Sequence, residues 1–179
     1  ISAQVLLGNL QSHHAAPEMR LLLRNVMGTS MTLTGHSNAI TDISVSQSGQ
    51  WLVSAGEDGS IILWDLGSGQ IEKRCQAPEG KLYTVTFIDG DKKIVAGGVV
   101  FGSGDSSGIL HFWNLDADDP EPSLSIETEF SHVWSICELP SQSTILVGGS
   151  GGYYGRKTNN LEVRSIEDGS LIKSHRVID

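Results

Sequence analysis

Four residues in one segment have the types and spacing to do chemistry: His36, Ser54, Asp58 and Trp64. A histidine, a serine and an aspartate invite a nucleophilic reading, in which the imidazole takes the hydroxyl proton and the carboxylate orients the imidazole. The same atoms can instead close a hydrogen-bonded network. Trp64 has one donor to satisfy, the Ser54 hydroxyl can accept from it and donate onward, and His36 can bridge to the Asp58 carboxylate. A buried, fully paired network has no open nucleophile, so all four are read as structural and no catalytic residue is assigned.

Other apparent motifs fail on their surroundings. Gly148-Gly149-Ser150-Gly151-Gly152 fits G-x-S-x-G, but a nucleophile elbow joins a strand to a helix, and a Gly/Tyr/Asn loop follows here. Gly102 to Gly108 is one residue too long for G-x-G-x-x-G and leads into a strand, which offers no helix N-terminus to a phosphate. It reads as a hairpin tip. His13 and His14 are adjacent, so their side chains diverge, and even with His132 or Glu57 from across a channel they make a poor metal site. No metal and no cofactor are expected. Cys75 and Cys137 sit 62 residues apart in apolar segments and read as reduced core residues rather than a secreted disulfide framework.

The elements that position these residues show in a long repeat. Ile61-Ile62-Leu63-Trp64-Asp65-Leu66 returns as Ile109-Leu110-His111-Phe112-Trp113-Asn114-Leu115, and more weakly as Leu161-Glu162-Val163-Arg164-Ser165-Ile166 and Leu21-Leu22-Leu23-Arg24-Asn25-Val26. Equivalent positions 24, 64, 113 and 164 are 40, 49 and 51 residues apart, which suits a four-stranded sheet repeat. First strands are expected at 40–45, 82–87 and 133–137, second strands at 51–55, 93–97 and 144–148, and polar outer strands at 70–75, 123–129 and 170–175. Turn signals such as Ser48-Gly49, Asp58-Gly59 and Asp168-Gly169 separate them, and no capped amphipathic helix pattern is found.

Composition agrees with an all-β chain. Of 179 residues 21 are Gly and 18% are charged, which favours many tight turns over a coiled coil or disorder. The net charge of -9 weighs against nonspecific binding to nucleic acid or an anionic membrane, which need a basic footprint. No apolar run approaches the length of a membrane span, and a reducing, intracellular compartment, cytoplasmic or nuclear, is expected.

These features resemble the WD40 family. Gly35-His36 through Trp64-Asp65, with Ser54 and Asp58 between them, is similar to its GH…WD unit, in which His, Ser, Asp and Trp form a buried tetrad. The resemblance implies a WD40-like β-propeller segment of about three and a half four-stranded antiparallel blades: a partial blade at 1–34, a full-signature blade at 35–76, and degenerate blades at 77–130 and 131–179. Pro78 and Ala96 replace the tetrad His and Ser in the third unit and Arg164 the Trp in the fourth, so those blades are expected to rely on packing. The segment falls short of the about seven blades of a typical ring. It is expected to be a fragment of a larger propeller, or to be completed by a partner or by another copy of itself.

In such a fold the second-to-third-strand connections and the starts of the first strands share one face around the central channel. The insertions at 11–17, 99–105 and 151–157 fall there and carry Phe101, Tyr153 and Tyr154, and aromatics are enriched at interface anchors. The family pattern adds Ala39, Thr41, Lys81, Tyr83, His132 and Trp134, with Glu57 beside the turn; a one-residue register error would turn Trp134 into the core. The expected function is a non-catalytic protein-interaction scaffold that binds a partner peptide or domain through Thr41, Glu57, Lys81, Tyr83, Phe101, His132, Trp134, Tyr153 and Tyr154. The rivals are a propeller enzyme with an acid or metal site built from Glu57, Asp105 and His132, and purely structural blades of a larger assembly. An adaptor-docking Trp-Asp-x-Arg pattern is broken by Gly67, and the acidic run 116–122 reads as a solvated turn on the opposite face, with docking of a basic partner as the sharper reading.

Overall fold

The computed structural model describes residues 20–24, 30–102, 106–139, 142–151 and 161–175. The described residues hold fourteen strands and no α-helix. They are β1 (Arg20–Arg24), β2 (Ser30–Thr34), β3 (Ile40–Val45), β4 (Trp51–Gly56), β5 (Ser60–Asp65), β6 (Ile71–Gln76) and β7 (Lys81–Ile88). There follow β8 (Lys93–Phe101), β9 (Ser106–Asn114), β10 (Leu124–Glu127), β11 (His132–Leu139), β12 (Thr144–Ser150), β13 (Leu161–Ser165) and β14 (Leu171–His175).

Each set of four consecutive strands is an antiparallel meander: β3-β4-β5-β6, β7-β8-β9-β10 and β11-β12-β13-β14, with β1-β2 forming a two-stranded sheet ahead of them. Tight turns set the register. At Asp58-Gly59, Gly59 takes φ 71°, a left-handed conformation that a side chain would resist, and the chain reverses from β4 into β5.

The core lies between sheets, and the alternation of a strand decides which neighbour each residue meets. In β4 and β5, Leu52, Ile62 and Trp64 pack with Leu33 of β2, while Val53, Ala55, Ile61 and Leu63 pack with Leu82, Val85, Phe87 and Ile94 of the next sheet. The following interface repeats the scheme: Val95, Leu110 and Phe112 meet Val133, Ile136, Ile145 and Val147. Burying one such aliphatic side chain stabilises by about 1.5–3 kcal/mol, and both faces of the two middle sheets are covered this way. The far face of β11–β14 carries Leu146, Leu161 and Val163, half-buried, with no sheet against it among the described residues.

Ladder pairing adjusts two expectations. Ser54 pairs with Ile62, Ala96 with His111, and Val147 with Glu162, so Val147 and not Gly148 holds the Ser54 position in the last sheet. Much of the insertion at 99–105 is strand rather than free loop: Val99, Val100 and Phe101 pair with Gly108, Ser107 and Ser106, which extends the β8-β9 hairpin. The first unit's second strand and the insertion at 11–17 lie outside the described residues.

Candidate functional site

β3, β7 and β11 begin their sheets and pack beside one another. Each carries a register break near its start: between Ile40 and Asp42, between Leu82 and Thr84, and between Val133 and Ser135. The unpaired residues are Thr41, Tyr83 and Trp134, and a bulge of this kind re-aims the side chain it carries. Opposite the residue before each break stands a glycine: Ile40 pairs with Gly56, Leu82 with Gly98 and Val133 with Gly149. A Cβ on Gly98 would collide with the Lys81 carbonyl, and one on Gly149 would lie 2.7 Å from the His132 carbonyl. The missing side chains let the neighbouring backbone close in at the bulge.

The first bulged residue is consumed in joining blades. Thr41 Oγ1 lies 2.8 Å from the Leu82 carbonyl and 3.1 Å from the Ala55 carbonyl, and the Val85 N–H donates to the Asp42 carboxylate at 2.9 Å. The other two bulged residues form an aromatic surface. The Tyr83 and Trp134 rings stack with centroids 4.7 Å apart at 21°, and the Trp134 and His132 rings stack at 5.3 Å and 3°. Tyr83 and His132 are themselves 6.2 Å apart, too close for Trp134 to lie sandwiched between them. Trp134 stays 51% exposed, and its Nε1–H donates to the Ser150 hydroxyl at 2.6 Å, which fixes the indole by its edge.

A charged pair adjoins the rings. Lys81 Nζ donates to Glu57 Oε2 at 2.8 Å, both side chains being about one-third exposed. Hydrogen bonding to Glu57 raises the Lys81 pKa. Burial raises that of Tyr83, with Lys81 lowering it and Glu57 raising it, so the phenol is neutral near pH 7 and both charges act at its position. Phe101 is 58% exposed at the end of β8, and nothing described links it to the stack. Tyr153, Tyr154, Asp105, His13 and His14 lie outside the described residues.

The histidine-serine network is built from β4, β5 and the segment before β3, with Asp58 next in sequence to Glu57. Trp64 Nε1–H donates to Ser54 Oγ at 2.9 Å, Ser54 Oγ lies 2.7 Å from His36 Nε2, and His36 Nδ1 lies 3.1 Å from Asp58 Oδ1. One proton arrangement satisfies every bond: indole to hydroxyl, hydroxyl to Nε2, and Nδ1–H to carboxylate. Ser60, which the motif spacing did not single out, adds a 2.7 Å bond from its hydroxyl to Asp58 Oδ1. Burial pushes the Asp58 carboxyl upward, but the hydrogen bonds from His36, Ser60 and the Ser37 backbone outweigh it and hold the group well below the usual carboxylate range. Ser54 is fully buried and His36 almost so, which leaves the hydroxyl no approach for a substrate.

The other two full sheets do not rest on packing alone. Trp113 Nε1–H donates to the Pro120 carbonyl at 3.1 Å, and at the Trp64 position of the last sheet Arg164 donates to Glu162 at 2.5 Å and to the Gly169 carbonyl at 2.9 Å. His111, at the Ile62 position, is buried with Nδ1 2.7 Å from the Ser125 hydroxyl and Nε2 unpartnered, and burial lowers its pKa to about 4. Sequence reasoning also missed Ser150 and the three glycines. The glycines had a signal, since 56, 98 and 149 each follow the residue they face by 16 positions. Among the described residues no group of three His, Cys, Asp or Glu side chains could hold a metal ion.

The WD domain, G-beta repeat family model matches residues 28–65. Over 119 residues, 66% of its length, the chain is 28% identical to the WD repeat-containing protein 55 homolog of Aedes aegypti and spans 23% of that protein. Shorter matches are 44% identity over 46 residues, 26% of this chain and 5% of the relative, to the U3 small nucleolar RNA-associated protein 21 homolog of Schizosaccharomyces pombe. Ribosome biogenesis protein bop1-B of Xenopus laevis is 46% identical over 44 residues, 25% of this chain and 6% of that protein. The chain thus spans less than a quarter of the length of these relatives. Among solved structures, the β-propeller domain of Myceliophteria thermophila Cps50 (Swd1) superposes with a TM-score of 0.63, covering 99% of this chain and 59% of that one at 18% identity, a likeness of fold alone.

Proposed function

Because this chain carries a WD40 repeat within a β-propeller array, we propose that it is a non-catalytic docking platform that binds a protein partner on the face where its inner strands begin. The observation that carries this reading is the stacked Tyr83–Trp134–His132 surface, raised on two bulges and half-open to solvent. An exposed tryptophan held rigid by its own N–H bond is suited to anchoring a partner, since little side-chain freedom is lost when it is covered. Lys81 and Glu57 beside it select charge. The far face of β11–β14, with Leu146, Leu161 and Val163, receives a further blade, from a longer chain or from another molecule.

The enzyme rival needs acids or metal ligands converging in the channel. Glu57 is bonded to Lys81 and His132 is stacked on Trp134, so two of the three groups proposed for it are engaged elsewhere, and the third, Asp105, lies outside the described residues. The names of the relatives, which include ribosome biogenesis and association with small nucleolar RNA, support docking within a nuclear assembly.

The test is quantitative co-purification with wild-type chain, Trp134→Ala, Tyr83→Ala and the outer-strand control Glu72→Gln. Partners retained by wild type and control should be lost from both aromatic variants, while thermal unfolding stays within a few degrees. Equal recovery by all four chains would place docking on another surface.

A further inference from the structure

We propose that the occupant of the aromatic surface is a partner segment presenting an arginine, whose guanidinium lies on the open face of Trp134 and whose charge is met by Glu57. This deepens the docking reading above and rests on it. The triangle of centroid distances leaves one indole face uncovered by Tyr83 and His132, consistent with the 51% exposure of Trp134. That face is electron-rich, its orientation is set by the bond to Ser150, and a planar, weakly hydrated cation is the protein group that best matches a flat π surface.

Charge favours a cation over the other ligand that stacks on such rings, a nucleic-acid base. The chain carries a net charge of -9, and among the described residues Arg74 is engaged on the Gly35 carbonyl and Arg164 on Glu162, while the neighbouring Lys81 is already bonded to Glu57. That ion pair has a second role in this account. While Glu57 holds Lys81 its carboxylate is shared, and an incoming guanidinium competes for it with two donors against the single ammonium. Lys81 is therefore a gatekeeper that weakens binding of cations with a poor fork and leaves room for those with a good one.

The test uses the 179-residue chain and a blocked glycine-rich pentapeptide with one central arginine, titrated by calorimetry and followed at the Trp134 indole N–H by NMR. The comparison peptides carry citrulline, which keeps the shape and loses the charge, or lysine. Arginine should bind about tenfold tighter than citrulline and severalfold tighter than lysine, with the preference shrinking at high salt. Trp134→Ala and Glu57→Gln should each remove most of that preference, whereas Lys81→Met, which frees Glu57, should strengthen arginine binding. A merely structural Lys81 would give the opposite sign or none. Equal binding of arginine and citrulline peptides overturns the cation reading but leaves docking standing. Binding of single-stranded RNA at the same indole in place of any peptide overturns both.

Discussion

Ser54→Ala removes one oxygen from the interior and leaves two partners behind. The hydroxyl accepts from Trp64 Nε1 at 2.9 Å and lies 2.7 Å from His36 Nε2, and all three residues are at most 2% exposed. Each buried polar group left unpaired costs about 1–3 kcal/mol, and the missing oxygen is too small a void for a water to replace it. A loss of about 3 kcal/mol is expected. For a chain of this size that corresponds to a fall in Tm of roughly 6–12 °C. Urea unfolding at neutral pH measures it, with the slope m unchanged if only the folded state is altered. The double variant with Trp64→Phe sharpens the test, because phenylalanine has no N–H to strand. Ser54→Ala should cost about 1 kcal/mol less in that background. Alanine already occupies the equivalent position 96, where the Trp113 N–H turns to the Pro120 carbonyl instead. A cost below about 0.5 kcal/mol in the wild-type background would mean that the network contributes nothing to the blade.

His111, whose pKa falls from 6.5 to about 4 on folding, binds a proton in the unfolded chain that the folded chain refuses. Stability should therefore drop as pH falls from 6.5 to 4, by up to about 3 kcal/mol, and His111→Leu should flatten that slope in pH-dependent urea melts. Asp58, held below its ordinary 3.8, contributes stability that is present above that value and is lost as pH falls further, so Asp58→Asn should already lack at neutral pH the stability that wild type loses only below pH 4, as urea melts across that range will read. Arg164→Leu leaves the fully buried Glu162 carboxylate unpaired and should cost about 3–5 kcal/mol, while Glu162→Ile with Arg164→Leu should recover most of it. Gly98→Ala places a Cβ against the Lys81 carbonyl and should cost about 1–3 kcal/mol while shifting the Tyr83 ring resonances in NMR spectra.

The fold was legible because two signals agreed along the chain. Trp64, Trp113 and Arg164 mark the same strand at a period no helix would keep, and turn residues bracket each run. β3 spans the residues expected of it, Ile40–Val45, because alternation and the Ser48-Gly49 turn bound it on both sides. The register of the last sheet is not carried by its sequence pattern. Gly148 and Gly149 have no side chain to alternate, so only the ladder shows that Val147 faces the preceding sheet. The polar anchors of the degenerate blades were hidden for a different reason. In the sequence Arg164 stands only as the replacement of the Trp, and it is the ladder that places it and Glu162 two apart on one buried face. The bulges are hidden because alternation breaks for a single residue at each, and a one-residue shift of register would turn Trp134 into the core. The glycine 16 residues on was the available clue, since a strand interior seldom spends its side chain without a close backbone to admit.

The central claim is that the Tyr83–Trp134–His132 face, and not the outer strands, meets the partner. Replacing Tyr83 with a photo-crosslinking benzoylphenylalanine, and separately replacing Glu72 on the exposed outer strand, tests it inside cells. Crosslinks from position 83 to one or a few discrete proteins, with none from position 72, are the predicted result. Discrete crosslinks from position 72 with none from position 83 would contradict the account.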